Sequence, residues 1–315
     1  MTSINPKTAL ITGSGVLGAY LSKVLIKRKY DVLVSSRYKK KIYKNYKYLK
    51  IQNKVKFLKL NVLSKKNISS LLKRYNPKLI FYLSGQSSLV KSIYLKKSTY
   101  NSNFLGAKNF LEIIKSKKLN TKFFKSNSGY IFSPNKGVIT IKSKLKKTKN
   151  PYIRDQINSY KLVKKFRNLG LKCYSIIFLQ VESPLRKNDF LIKKICSNAN
   201  KRKSILVGNI NTIRDYSWAP EIMNGVYYLT YLPPMDLILS SGRGMSGKSI
   251  LKYAYRKKNL DYRKFYIIDK KLKRDKEVIK LVGSLKNTNI LYKKFNWRPK
   301  IFGKKIIVKM INSIR

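Results

Sequence analysis

Thr8-Ala-Leu-Ile-Thr12, followed at once by Gly13-Ser14-Gly15-Val16-Leu17-Gly18, is the stretch that decides the fold of this chain. A short apolar strand runs into a Gly-x-Gly-x-x-Gly turn, and the turn opens an apolar-periodic helix that reaches about Lys27. Each glycine has a separate task. The first allows a tight turn, the second lets the backbone approach a pyrophosphate, and the third permits close packing of helix on strand. The helix N-terminus then favours the anion. A strand before and a helix behind are the context that separates a dinucleotide-binding turn from an ordinary glycine-rich loop.

The same alternation continues outward. Tyr30 to Ser35, Val55 to Leu60, Leu79 to Leu83, Lys122 to Ser126 and Lys172 to Leu179 read as further buried strands. Between them, Asn67 to Tyr75, Asn103 to Ile114 and Tyr152 to Leu169 read as helices, the last ended by Gly170. This predicts an α/β fold, a Rossmann-type doubly wound parallel sheet with a smaller C-terminal substrate-binding region. The expected division is 1–179 with 206–240 as the dinucleotide domain, and 180–205 with 241–315 as the substrate region. Ile141 to Lys149 reads as a solvated loop.

The end of the second strand selects between nicotinamide cofactors. An acid there would bind the ribose hydroxyls and repel a 2′-phosphate. Ser35-Ser36-Arg37 offers hydroxyls and a guanidinium instead, which suit NADP. Asn61-Val62, after the third strand, is expected beside the adenine.

The charge is extreme. Lys and Arg number 72 against 12 Asp and Glu, a net of +60 with no histidine. The basic residues are spread along the chain rather than gathered in a tail, so compositional drift is the simpler reading, with nonspecific polyanion binding at low salt as its consequence. Without histidine there is no Ser-His or Cys-His pair, and the two cysteines cannot form a zinc site. Two cysteines without a disulfide framework, no apolar run of membrane-spanning length and no signal-peptide pattern at Met1 to Lys7 give the expectation of a cytoplasmic protein with no membrane contact.

With these pieces placed, the sequence resembles the extended short-chain dehydrogenase/reductase family, and within it the GDP-mannose 4,6-dehydratases. Leu83-Ser-Gly-Gln-Ser87 is similar to the segment that passes under the cofactor, with Leu83, Gln86 and Ser87 as contacts. Asn103 to Glu112 is similar to the central helix, and Glu182-Ser-Pro184 with Arg186 to the cofactor and substrate loop. Gly208-Asn209 with Arg214-Asp215 resembles the segment whose arginine holds nucleotide-sugar phosphates. Arg274 to Val278 and Trp297-Arg-Pro299 resemble the C-terminal substrate arm and closing motif. Glu112, Glu182, Asp215 and Glu277, four of the 12 acids, all fall on such positions. The resemblance implies NADP, a GDP-sugar substrate, and homo-oligomers or hetero-oligomers with a related subunit. It also implies that Arg186, Lys194, Arg214 and Arg274 meet phosphates, with Glu182 and Glu277 on the substrate.

The catalytic positions depart from that pattern. Asn150-Pro151-Tyr152 matches the start of the catalytic helix, so Tyr152 is the matched base. Four residues on stands Gln156 where the family has lysine. Asn127 occupies the Ser/Thr position and Gly129 the glutamate position. Gln156 can hold a ribose but supplies no positive charge to lower the Tyr152 pKa from about 10. Losing a general base costs on the order of 10²–10⁴ in rate. A second Tyr-x-x-x-Lys, Tyr160 to Lys164, is expected to be accidental, with Tyr160 packing and Lys164 facing solvent. The resemblance thus gives a GDP-mannose 4,6-dehydratase-like enzyme, with a GDP-keto-sugar reductase or a catalytically impaired NADP-binding homologue as alternatives.

Overall fold

The computed structural model describes residues 7–37, 43–272 and 277–314. The chain divides into two compact units. The first comprises 1–132, 145–177 and 226–237, and the second 133–144, 178–225 and 238–315.

In the first, β1 (Thr8–Thr12), α1 (Val16–Lys27), β2 (Asp31–Ser36), β3 (Lys56–Lys59), α2 (Lys65–Tyr75), β4 (Leu79–Tyr82), α3 (Gly106–Ser116), β5 (Lys122–Ser128), α4 (Pro151–Asn168), β6 (Cys173–Phe178) and β7 (Asp236–Leu239) build the α/β layers. The seven-stranded sheet has the order β7-β6-β5-β4-β1-β2-β3. The pairs β1–β2, β1–β4, β2–β3 and β4–β5 are parallel. The chain starts in the middle, winds to one edge, returns and winds to the other, as the doubly wound expectation requires. All five residues of β1 are buried, so the strand reads as a continuous apolar run rather than an alternation. Leu10, Ile80, Phe110, Phe123, Val163 and Phe166 belong to the core that α2, α3 and α4 cover.

Local signals fix the ends of these elements. Ser64 caps α2 by accepting from the Asn67 amide, and Asn150 caps α4 by accepting from Ile153, with Pro151 in the first turn. The helix expected from Asn103 has a more unusual start. Asn101–Leu105 is a π-helical turn that leads into α3, with the Asn103 side chain buried in it. Single π turns of this kind are frequent at functional sites.

The second unit has its own five-stranded sheet. Ile213–Trp218 is its hub, paired with Gln180–Glu182, Gly244–Ser246 and Lys280–Gly283, and the last of these pairs with Val138–Ile139. Helices Leu191–Asn200, Gly247–Arg256 and Lys304–Ser313 close a core around Ile195, Tyr255, Ile307 and Met310. The expected boundaries shift for this reason. Residues 206–225, assigned from the sequence to the dinucleotide domain, lie in the second unit because the Ile213–Trp218 strand pairs there. Residues 133–144 lie there too, through the pairing of Val138–Ile139.

Candidate active site

The glycine turn is built as its sequence requires. Gly13 has φ +92°, and a Cβ on it would stand 2.7 Å from the Leu83 carbonyl carbon and the Ser84 nitrogen. On Gly18 a Cβ would meet the Gly13 oxygen at 2.2 Å. Both positions exclude any side chain. Gly15 is different, with nothing within 4 Å of its Cβ position. It is also the N-cap of α1 and places no side chain on the first helical amides. An uncapped 12-residue helix therefore opens onto free space at the one glycine of the turn not packed against protein. That arrangement fits a dinucleotide pyrophosphate.

The surrounding positions frame this opening. Ser35 is buried, Ser36 half-buried and Arg37 exposed at the end of β2. Asn61 is exposed and its side chain accepts from the Leu63 amide, while Val62 packs beside Gly106. The Gln86 side chain turns onto its own loop and accepts from the amides of Ser87 and Ser88. Asn103 donates to the Gln86 carbonyl at 3.2 Å, tying the π-helical turn to the loop after β4. Its buried Oδ1 has no hydrogen-bond partner.

The chemical end is arranged otherwise. Tyr152 is buried at the start of α4. Asn127, at the end of β5, turns its amide onto the same helix. It donates to the Gln156 carbonyl at 3.0 Å, the Gln156 Oε1 at 3.3 Å and the Ser159 Oγ at 3.0 Å. Two of the altered positions are thus bonded to each other, and their polar groups clamp strand to helix. Gly129 is buried in the following 3-10 turn and supplies no side chain. The second Tyr-x-x-x-Lys pair is structural. The Tyr160 hydroxyl donates to Asp236 at 3.0 Å, and burial and that carboxylate push its pKa further up, away from base chemistry. Lys164 is half-exposed and 3.8 Å from Asp236.

The sequence reading missed Lys125. It is fully buried in β5, two residues before Asn127 and on the face of Phe123, and its Nζ donates to the Ser126 carbonyl at 2.5 Å. Desolvation pushes its pKa down to about 7. The period-two alternation of β5, Phe123 then Lys125 then Asn127, was the available signal.

In the second unit, Arg214 and Glu277 meet in an ion pair at 3.1 Å, and Arg214 also donates to the Ile279 carbonyl. Glu182 is 1% exposed, and desolvation pushes its pKa up to about 7. The Arg186 side chain lies 4.0 Å from Glu182 and stacks on the Phe190 ring at 3.3 Å. Lys194 donates to the Leu206 carbonyl at 2.6 Å, so its ammonium serves the fold of this unit. Asp215 accepts from the Ser241 amide and hydroxyl and from the Gly242 and Gly283 amides, which makes it a fixture of the second sheet. Arg274 lies outside the described residues.

Comparison with known proteins gives the family and the fold. The family model for GDP-mannose 4,6 dehydratase matches residues 10–310. A GDP-mannose 4,6 dehydratase of Dictyostelium discoideum is 25% identical over 349 residues, covering 98% of this chain and 97% of its own. A GDP-mannose 4,6-dehydratase of Sordaria araneosa is 23% identical over 266 residues, 81% of this chain, which spans only 48% of that protein's length. Among solved structures, the dTDP-glucose 4,6-dehydratase of Bacillus anthracis, in complex with NAD, superposes with a TM-score of 0.83. Its identity is 14%, with 97% of this chain and 96% of that one covered. The fold is therefore that of the nucleotide-sugar epimerases and dehydratases, and the chain belongs to the GDP-mannose 4,6-dehydratase family.

Proposed function

We propose that this chain binds NADP through its first unit and a GDP-sugar through its second, as a GDP-mannose 4,6-dehydratase-type protein whose dehydration chemistry is curtailed. The observation that carries this reading is the contrast within the first unit. The glycine turn leaves an open, uncapped helix N-terminus at Gly15, whereas the Asn127 amide nitrogen is turned onto Gln156 and Ser159 of the neighbouring helix.

The role of each residue follows from its chemistry. The amides around Gly15 hold the pyrophosphate and Arg37 the 2′-phosphate. A nicotinamide held there would supply hydride chemistry, accepting from the sugar's C4 and delivering to C6. Tyr152 is placed to take the proton of the same carbon's hydroxyl, but no lysine stands four residues on to lower its pKa. Elimination of water across C5 and C6 also requires an acceptor for the C5 proton, and Gly129 offers none. Arg214, already paired with Glu277, meets the nucleotide phosphates by exchanging part of that pairing.

Two measurements test the reading. In calorimetric titration, NADP binds about 10–100-fold more tightly than NAD, the worth of one charge-assisted contact, and Arg37→Ala removes the difference. Incubation with GDP-mannose and NADP gives the 4-keto-6-deoxy product, followed by NMR, at rates far below 1 s⁻¹. The triple variant Asn127→Thr, Gly129→Glu, Gln156→Lys raises that rate by about 10² or more. Turnover of the unaltered protein at the ~1–10³ s⁻¹ of ordinary enzymes would overturn the proposal.

A further inference from the structure

The end of the parallel sheet away from the glycine turn carries one basic residue at the start of nearly every strand. Lys172 precedes β6, Lys122 opens β5, Lys78 precedes β4, Lys7 precedes β1, Lys29 stands two residues before β2 and Lys56 opens β3. Four of them, Lys172, Lys122, Lys78 and Lys7, stand at the starts of strands that are bonded in turn. Backbone bonds link Phe123 to the Lys172 carbonyl, Lys122 to the Lys78 carbonyl, Lys78 to the Thr8 carbonyl and Asp31 to the Lys7 carbonyl. In the order β6-β5-β4-β1-β2-β3, five interstrand steps of ~4.8 Å give a basic row about 24 Å long.

Little offsets this charge. The helices α1 to α4 bring their C-termini to this end, each equivalent to about −0.5 charge, or roughly −2 in all against six lysines. Asp31 lies on the row. Asp236 lies at its far end but is engaged by Arg167 at 2.5 Å and by Tyr160. The repulsion is visible in Lys122, whose pKa is lowered by burial and then by Lys172.

Aromatic rings flank the row. Tyr231 is 59% exposed, and Tyr30, Tyr75 and Tyr228 are half-buried. Lys56 lies over the Tyr75 ring at 5.1 Å, and Arg28 over Tyr227 at 4.9 Å. The segment carrying Tyr231 is fastened to the row by the bond from Lys122 Nζ to the Thr230 carbonyl, at 2.6 Å. A line of cations with π-faces beside it is the combination that binds a single strand, charges on the phosphates and rings on the bases. An anionic lipid surface is the competing occupant, which vesicle competition separates from a nucleic-acid strand.

We propose that this lysine row, with Tyr30, Tyr75 and Tyr231, is a docking surface for single-stranded nucleic acid, separate from the cofactor turn and independent of the function proposed above. The test measures binding of a fluorescent oligouridylate of about 12 nucleotides to the full chain at about 0.15 M salt. Changing Lys7, Lys78, Lys122 and Lys172 together to Gln weakens binding tenfold or more and lowers the salt slope by about 3. An equal change in net charge elsewhere, at Lys252, Lys257, Lys305 and Lys309, shifts affinity less than threefold. Ultraviolet crosslinking of the unaltered protein places uridine adducts on the peptides of Tyr30, Tyr75 or Tyr231, so the answer does not depend on the variant folding. Equal losses from both quadruple variants, adducts spread over the whole chain, or equal competition by phosphatidylserine vesicles would each overturn the assignment. NADP titration of the same variants stays unchanged, which separates this surface from the cofactor site.

Discussion

Lys125 carries a large desolvation cost in the first unit. Among the described residues no carboxylate pairs with its ammonium, which rests on one carbonyl and 5.6 Å above the Tyr82 ring. Its pKa falls from 10.5 in the open chain to about 7 in the fold. A depressed lysine adds stability only above its unfolded pKa, and loses it as pH falls through the folded value. Lys125→Met is therefore expected to stabilise the protein, by up to about 5 kcal/mol at pH 6 and by about 2 at pH 9. Urea unfolding at the two pH values checks this, and a gain independent of pH would refute it. Gly13 is the opposite case, a residue whose lack of a side chain the turn requires. Gly13→Ala forces a Cβ against backbone at a positive φ, at a cost of about 1–3 kcal/mol or more. It should abolish NADP binding in the same titration that measures the unaltered protein.

Among elements, α4 decides most, because one helix carries both ends of the argument. Its N-terminal half presents Tyr152 and Gln156, and its C-terminal half anchors β7 through Tyr160 and Arg167 to Asp236. Arg167 also donates to the Cys173 carbonyl at 2.7 Å, so β6 shares the same fastening. Breaking a buried pair by removing one partner's charge costs about 3–5 kcal/mol. Asp236→Asn should fall near the lower end, since the amide keeps one acceptor for Tyr160. Tyr160→Phe should cost about 1 kcal/mol and leave cofactor binding unaltered. Thermal unfolding with parallel NADP titration reads both, and a loss of binding in Tyr160→Phe would make that tyrosine a site residue after all.

For the whole molecule, a net charge of +60 sets the conditions under which anything else is observed. Self-repulsion opposes compaction, and salt shortens its range from ~30 Å at 0.01 M to ~10 Å at 0.1 M. The midpoint of thermal unfolding should rise by several degrees as salt increases across that range, measured by scanning fluorimetry, whereas a flat response would mean that the charges are paired off locally. Among the described residues no helix is long and apolar enough to cross a membrane.

The sequence by itself determined the first unit's architecture and its glycine turn. Strand periods, helix caps and turn glycines act between residues a few positions apart, so they are written locally. That is why β1 to β6 and α1 to α4 were legible, whereas β7 (Asp236–Leu239) was not among the strands read. Tertiary structure alone decided which polar groups meet. Asn127 and Gln156 are 29 residues apart, Arg214 and Glu277 63, and Tyr160 and Asp236 76. No local preference encodes such pairs, which form only when packing brings two elements together and burial makes an unpaired polar group costly. The same packing moved 206–225 into the second unit and turned Lys125 inward. It also bonded Asn127 to Gln156, a feature on which the proposed loss of dehydration chemistry rests.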